Sequence, residues 1–214
     1  MAKHSQASIA YESIRTSILS GNLFQGQPIS EMEMAEKLNM SRTPVREALS
    51  RLRSDGLLEY IAHKGVVVRQ FSRQEIEMAY VYAQAVEGML AGVVAENAAN
   101  LDFTEAESCL ARMQEALNNN DSTAWANADN EFHDTLRKLC GNSFLVKAVV
   151  DVYGQINYTR MLITRVALDK ATSTKDHGML LEYMKMGDVK SARESMEAHL
   201  CRIRNEVMRI LYNT

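Results

Sequence analysis

Hydrophobic positions in this chain recur almost everywhere at steps of three and four residues. In "QEIEMAYVYAQAVEGMLAGVVAENAA", Ile76, Ala79, Tyr80, Ala83, Val86, Leu90 and Val93 keep that spacing and predict one long helix from about residue 74. The segment from Thr104 to Leu117 continues with Ala106, Leu110, Met113 and Leu117, with Thr104 as its expected cap. "NNNDS" interrupts the pattern, and further helices are predicted near 121–139, 143–167, 173–186 and 189–211. "CGNS" and "MGDV" separate these helices, each with a glycine suited to ending one, and Ser143 and Asp188 are the expected N-caps that follow. Both prolines, Pro28 and Pro44, lie ahead of this region, so nothing after Pro44 forbids long helices.

Only "LLEYIAHKGVVVRQF", residues 57–71, reads as strand. Leu57–Ile61 and Val66–Arg69 flank the tight turn "AHKG", which is a hairpin signal. The rest of the front third is helical over about 8–20, 31–38 and 44–55. Three short helices and a hairpin predict a winged helix-turn-helix over residues 1–71. An all-α antiparallel bundle of about six helices follows over 72–214, the boundary falling in "QFSRQ". The expected fold is mainly α.

The front domain carries the chemistry of a DNA reader. In "ISEMEMAEKLNMSRTPVREALSRLRSDGLLEY", Met34, Ala35 and Leu38 form an inner face, "LNM" makes a turn, and Thr43 with Pro44 predicts the start of the next helix. Val45, Ala48, Leu49 and Leu52 face inward, which leaves Arg42, Arg46 and Arg51 outside. The start of the second helix is what enters the major groove, where an arginine can bind guanine in bidentate fashion. Ser41 and Thr43 are natural phosphate donors, and Gly65, beside His63 and Lys64, lets the wing backbone approach DNA.

"SRTPVREALSRLRSDGLLE" and the hairpin after it resemble the winged helix-turn-helix of the GntR family of bacterial transcription regulators, over roughly residues 8–70. The resemblance implies DNA contacts at Arg42, Thr43, Arg46 and Gly65. A further basic contact seen in some relatives falls on Met32, between Glu31 and Glu33, and is not carried over.

Charge sharpens this picture a little. Residues 1–70 hold nine Lys/Arg against seven Asp/Glu and residues 71–214 hold fifteen against twenty, so a mildly basic front joins an acidic back. Apolar residues make up 46% and charged residues 24%, as in ordinary globular proteins. No apolar run approaches the ~18–20 residues of a membrane span, and "MAKHSQASIAYESI" lacks a secretory core, so a cytoplasmic protein without a membrane partner is expected. Cys109, Cys140 and Cys201 are odd in number and unpaired in spacing, which predicts reduced thiols.

The second half poses a separate question. In "NADNEFHDTL", Asp129 and His133 sit one helical turn apart, a spacing that fits a surface hydrogen bond, an acid/base couple or half of a metal site. His177 and His199 also fall on apolar stripes, the latter on Ala192–Met196–Ile203–Val207–Ile210. All three histidines therefore point to a bundle interior. Each could be a satisfied core residue, or the three could gather with Asp129 around one divalent cation, as inward side chains of bundles do. Three imidazoles and a carboxylate suit Zn first, with Ni, Fe or Mn compatible, and leave positions open. No HExxH-type acid/base partner accompanies them, so a metal-dependent enzyme is the weaker alternative and a regulator is expected.

"ADNEFHDTLRKLCGN" and "DHGMLLEYMKMGDVKSARESMEAHL" resemble the FCD effector domain of the FadR-type branch of the GntR family, over roughly 74–212. At this length the six-helix count looks most like the VanR-type subgroup. The resemblance implies metal ligands at Asp129, His133, His177 and His199, and a small carboxylate effector in or beside the metal shell. It also implies a homodimer that reads a palindromic double-stranded operator. The metal is regulatory or purely structural on this reading. Many relatives carry an arginine four residues before the position of Glu87; here that residue is Ala83. Arg160, Asn157, Tyr158 and Glu87 are the effector-binding candidates, with Arg165 and Tyr153 weaker ones.

Overall fold

The computed structural model describes residues 5–19, 21–152 and 169–212, and these divide into two units between Ser72 and Arg73. The first unit holds α1 (Gln6–Leu19), α2 (Glu31–Leu38), α3 (Arg42–Ser54), β1 (Leu58–Ile61) and β2 (Gly65–Val68). Ser30 caps α2 by accepting from the Glu33 N–H at 3.4 Å, and Asn39 ends it in the left-handed region that asparagine tolerates. The cap of α3 lies two residues before the expected one. Ser41 is its N-cap, without a side-chain bond, and Thr43 already lies inside the first turn. Pro44 is still harmless there, because the N–H groups of a first turn have no intrahelical partner.

The hairpin is antiparallel, with Leu58 opposite Val68 and Ile61 opposite Gly65. Its tip closes by a 3.1 Å bond from Lys64 N–H to the Ile61 carbonyl. His63 and Gly65 take φ values of 67° and 77°, and a Cβ at Gly65 would meet nothing within 4 Å, so backbone conformation rather than space favours glycine there. Pro28 bridges to Val67 at the hairpin's edge, and Ile29 N–H donates to the Val66 carbonyl at 2.8 Å. Ile14, Ile18, Leu49, Leu52, Leu58 and Val68 form the core beneath the helices.

The second unit is the helical bundle: α4 (Arg73–Glu96), a 3-10 turn, α5 (Thr104–Asn118), α6 (Ser122–Cys140), α7 (described over 143–152), α8 (Lys170–Lys185) and α9 (Val189–Tyr212). Capping departs from expectation twice here. Thr104 is not the cap of α5; its N–H and hydroxyl both donate to Asp102 Oδ1, at 2.9 and 2.6 Å. Asn142, not Ser143, caps α7 by accepting from the Phe144 and Leu145 N–H groups. In both cases a short Asx side chain one or two residues upstream competes better for the orphan donors. Asp188 caps α9 as expected, accepting from Ser191 N–H at 3.0 Å. Asp169 caps α8, which starts three residues ahead of the expected helix.

Helix α4 lies along α9, closely enough that a Cβ on Gly88 would stand 2.7 Å from Glu197 Cγ. By length and composition alone α4 could cross a membrane, but 50% of its most apolar window is buried inside the protein, as in a core helix. Helix α5 packs on α6, and α8 on α9. The large buried side chains include Trp125, Tyr80, Phe132, Met113 and Leu136.

Candidate metal centre and nucleic-acid interface

In the first unit, the start of α3 and the wing tip carry the residues expected to meet DNA. Ser41, Arg42, Thr43, Arg46 and Arg51 are exposed, as are His63 and Lys64, and Gly65 is half-buried. The three arginines differ in what already holds them. Arg42 pairs with Glu31 at 3.3 Å on the surface. The guanidinium of Arg51 lies 4.3 Å from the ring centroid of Tyr11, a cation–π contact to α1. Tyr11 in turn donates to Asp55 at 2.6 Å, and burial together with that bond pushes its hydroxyl up to about 12. Arg46 makes no hydrogen bond or ion pair among the described residues, and it lies in the first turns of α3.

In the second unit, α6, α8 and α9 bring His133, His177 and His199 together. One nitrogen from each lies within 4.8 Å of the others, and all three residues are buried. Asp129, also buried, places Oδ1 3.9 Å from His133 Nε2 and 3.6 Å from His177 Nδ1. Donors each about 2.1 Å from a tetrahedral ion stand about 3.4 Å apart, so the three nitrogens close on a cation with a contraction of up to about 1.4 Å. Neither ring nitrogen of His133 has a hydrogen-bond partner among the described residues. A buried imidazole in that state is disfavoured unless something else satisfies its lone pair. The donor chemistry and the burial thus fit a first-row divalent ion.

Burial is the main cause that holds His199 below the ordinary histidine value, against the pull of Asp176. A lone pair rather than a proton is then available to a metal. Glu87 of α4 is buried, with Oε2 3.5 Å from His133 Nδ1, the ring edge away from Asp129. Ala83, one turn earlier on α4, is fully buried, so the place where many relatives carry arginine is filled here by a methyl group. Arg160, Asn157, Tyr158, Arg165 and Tyr153 lie outside the described residues.

Two features were missed from sequence. Asp176 and Arg202 form a linked pair beside His199: Asp176 Oδ2 stands 3.1 Å from His199 Nδ1 and accepts from Arg202 Nη2 at 2.7 Å. The available signals were adjacency, Asp176 beside His177 and Arg202 three residues after His199. The second feature is Glu105, Cys109 and Glu131, a group that could hold a metal by distance. Arg112 already bonds both carboxylates and lies 3.2 Å from the Cys109 sulfur, so a guanidinium supplies the positive charge there. Burial also pushes the Cys109 thiol up, away from the thiolate that a metal needs.

A winged helix-turn-helix joined to a helical bundle with a buried histidine cluster defines a two-domain, DNA-binding regulator of transcription. Residues 6–68 match the family described as "Bacterial regulatory proteins, gntR family", and residues 78–202 match the FCD domain. The chain belongs to the GntR family of bacterial regulators, in the group that carries an FCD domain, and is a regulator rather than an enzyme. A regulator from Agrobacterium vitis, encoded in the TAR-I ttuE-ttuC' intergenic region, is 40% identical over 140 residues, 61% of this chain and 78% of that protein. A probable D-xylose utilization operon transcriptional repressor from Paenarthrobacter nicotinovorans is 30% identical over 184 residues, 86% of this chain and 80% of that one. The fold is shared with a GntR regulator from Rhodococcus sp. RHA1, at a TM-score of 0.78 and 21% identity over 96% of this chain and 98% of that one. It is also shared with Escherichia coli McbR/YncC, at 0.80 and 19% over 98% and 100%.

Proposed function

We propose that the protein is a cytoplasmic, homodimeric regulator of the VanR-like type. Its helical domain, residues 72–214, binds a divalent transition metal on Asp129, His133, His177 and His199, and a small carboxylate at that centre modulates binding to a palindromic operator by the domain of residues 1–71. The observation that carries this reading is the convergence of three buried imidazoles and one buried carboxylate from three helices. Zinc is the first choice for such a donor set, with Ni, Fe or Mn compatible. When bound, the ion supplies positive charge and open positions for an anionic ligand. That ligand shifts operator binding only if it favours one arrangement of the reading domains over another. With Ala83 in place of arginine, the ion itself becomes the main positive charge offered to a carboxylate at this point.

Elemental analysis of protein purified without chelators is expected to find about one transition-metal ion per chain, removable by a strong chelator. A chain that carries no metal and takes up none from a buffered Zn2+ titration sinks the proposal. A metal that stabilises the bundle, with operator affinity unmoved by small carboxylates in its presence, reduces it to a structural ion.

The dimer reading is supported by α4. Met78, Tyr82, Ala85 and Met89 lie exposed at four- and three-residue steps along one stripe, with Val81 beside it. Two copies of α4 crossing antiparallel about the midpoint of Tyr82 and Ala85 set Met78 against Met89 and the large Tyr82 against the small Ala85. The Arg73 end of one helix then meets the Glu96 end of the other. A two-fold contact must be self-complementary in this way. Tyr82→Glu is expected to convert the dimer to monomer in sedimentation at micromolar concentration; a monomeric wild type or an unchanged variant counts against α4 as the interface.

A further inference from the structure

We propose that Asp176 is a positioning residue for the metal centre: it holds the Nδ1 edge of His199, so that Nε2 is the nitrogen offered to the cation. The inference rests on the metal reading above. A neutral imidazole carries one N–H and one lone pair. Asp176 Oδ2, which can only accept when ionised, stands 3.1 Å from His199 Nδ1 and is nearer to it than the Arg202 Nη2 donor at 3.4 Å, which favours the proton on Nδ1 and the lone pair on Nε2.

The carboxylate is itself fixed. Arg202 donates to Asp176 Oδ2 through Nε at 3.1 Å and Nη2 at 2.7 Å, while its Nη1 bonds Glu206 at 2.6 Å and Nη2 also bonds Ser173 at 2.9 Å. Such charge-assisted bonds are the strong ones. Successive residues on a helix point about 100° apart. Asp176 therefore does not share the direction of its neighbour His177, and reaches across to α9 instead. One helix supplies a ligand and braces the ligand on the next. Outer partners of this kind orient metal-binding histidines and commonly contribute 10–100-fold to metal affinity.

The test uses Co2+ on the full-length protein, because its visible spectrum reports ligand geometry. Asp176→Ala is expected to bind Co2+ about 10–100-fold more weakly and with an altered visible spectrum, while far-UV circular dichroism shows the metal-free fold intact. A role confined to clamping α8 to α9 would lower the melting temperature yet leave Co2+ affinity and spectrum unchanged, and that result overturns the proposal. Should the variant fail to fold, the wild type decides: nitrogen NMR of the metal-free protein should show the Nδ1–H tautomer at His199, and the Nε2–H tautomer refutes it. A wild type that binds no Co2+ removes the metal reading and this inference together. Wild-type binding with an unaffected Asp176→Ala variant removes only the latter.

Discussion

Arg46→Ala is expected to weaken operator binding by about 10–100-fold, the loss of one good bidentate base contact at about 1–3 kcal/mol, and to leave metal binding in the bundle unchanged. Three arginines on or next to the outer face of α3 looked equivalent in sequence, and their surroundings rank them. Arg46 is exposed near the helix start and bound to no described residue. Arg42 is exposed but paired with Glu31, a surface pair worth about 0–1 kcal/mol that DNA can displace. Arg51 stacks on Tyr11 near the far end of α3, so Arg51→Ala should reduce stability slightly more than it reduces affinity. The measurement is fluorescence anisotropy on an operator selected from random duplexes, beside an unrelated duplex, both at one fixed salt concentration. Loss on the operator with little change on the unrelated duplex identifies base reading. An equal loss on both makes Arg46 a phosphate contact, and no loss on either removes α3 from the interface.

The elements legible from periodicity were the long ones. The stripe through Ala192, Met196, Ile203 and Val207 placed His199 inward on α9, and the structure buries it. The hairpin was legible because "AHKG" sits between two β-branched and aromatic runs, and its register confirms the turn. Helix starts were less legible. Thr43, Thr104 and Ser143 are all acceptable caps by residue type, but Asp102 and Asn142 take the orphan N–H groups in two cases, and α3 begins after Ser41 without any side-chain cap bond. The site was legible as residue types on separate inward faces, since helical spacing fixes which way His133, His177 and His199 point. Asp176 and Arg202 were not. Their role depends on how α8 and α9 pack, with contacts spanning 23 to 29 positions, and a single sequence shows no such pairing. Helix α4 shows the converse: its length and composition suit a membrane span, and only its packing against the rest of the bundle marks it as a core helix.

His133→Leu is expected to leave the metal-free protein as stable as the wild type or more so, while abolishing stabilisation by metal. The sign follows from the state of the ring. His133 is 2% exposed and neither nitrogen makes a hydrogen bond among the described residues. A buried polar group left unsatisfied is disfavoured by roughly 1–3 kcal/mol, and an apolar side chain of similar size removes that penalty. In the wild type the penalty is offset only when a cation takes the lone pair. With metal at about 1,000 times its Kd the gain is about 4 kcal/mol, or about 8–16 °C in melting temperature for a chain of this size. His199→Leu should behave oppositely in the metal-free state, because it strands one bond to the ionised Asp176, a contact worth roughly 1.5–3 kcal/mol. Thermal melts of both variants, with a chelator and with excess Zn2+, separate the two readings of the histidines. If His133→Leu lowers the metal-free melting temperature as much as His199→Leu does, His133 is a satisfied core residue. If Zn2+ still raises the melting temperature of His133→Leu by the wild-type increment, the cation does not sit on His133.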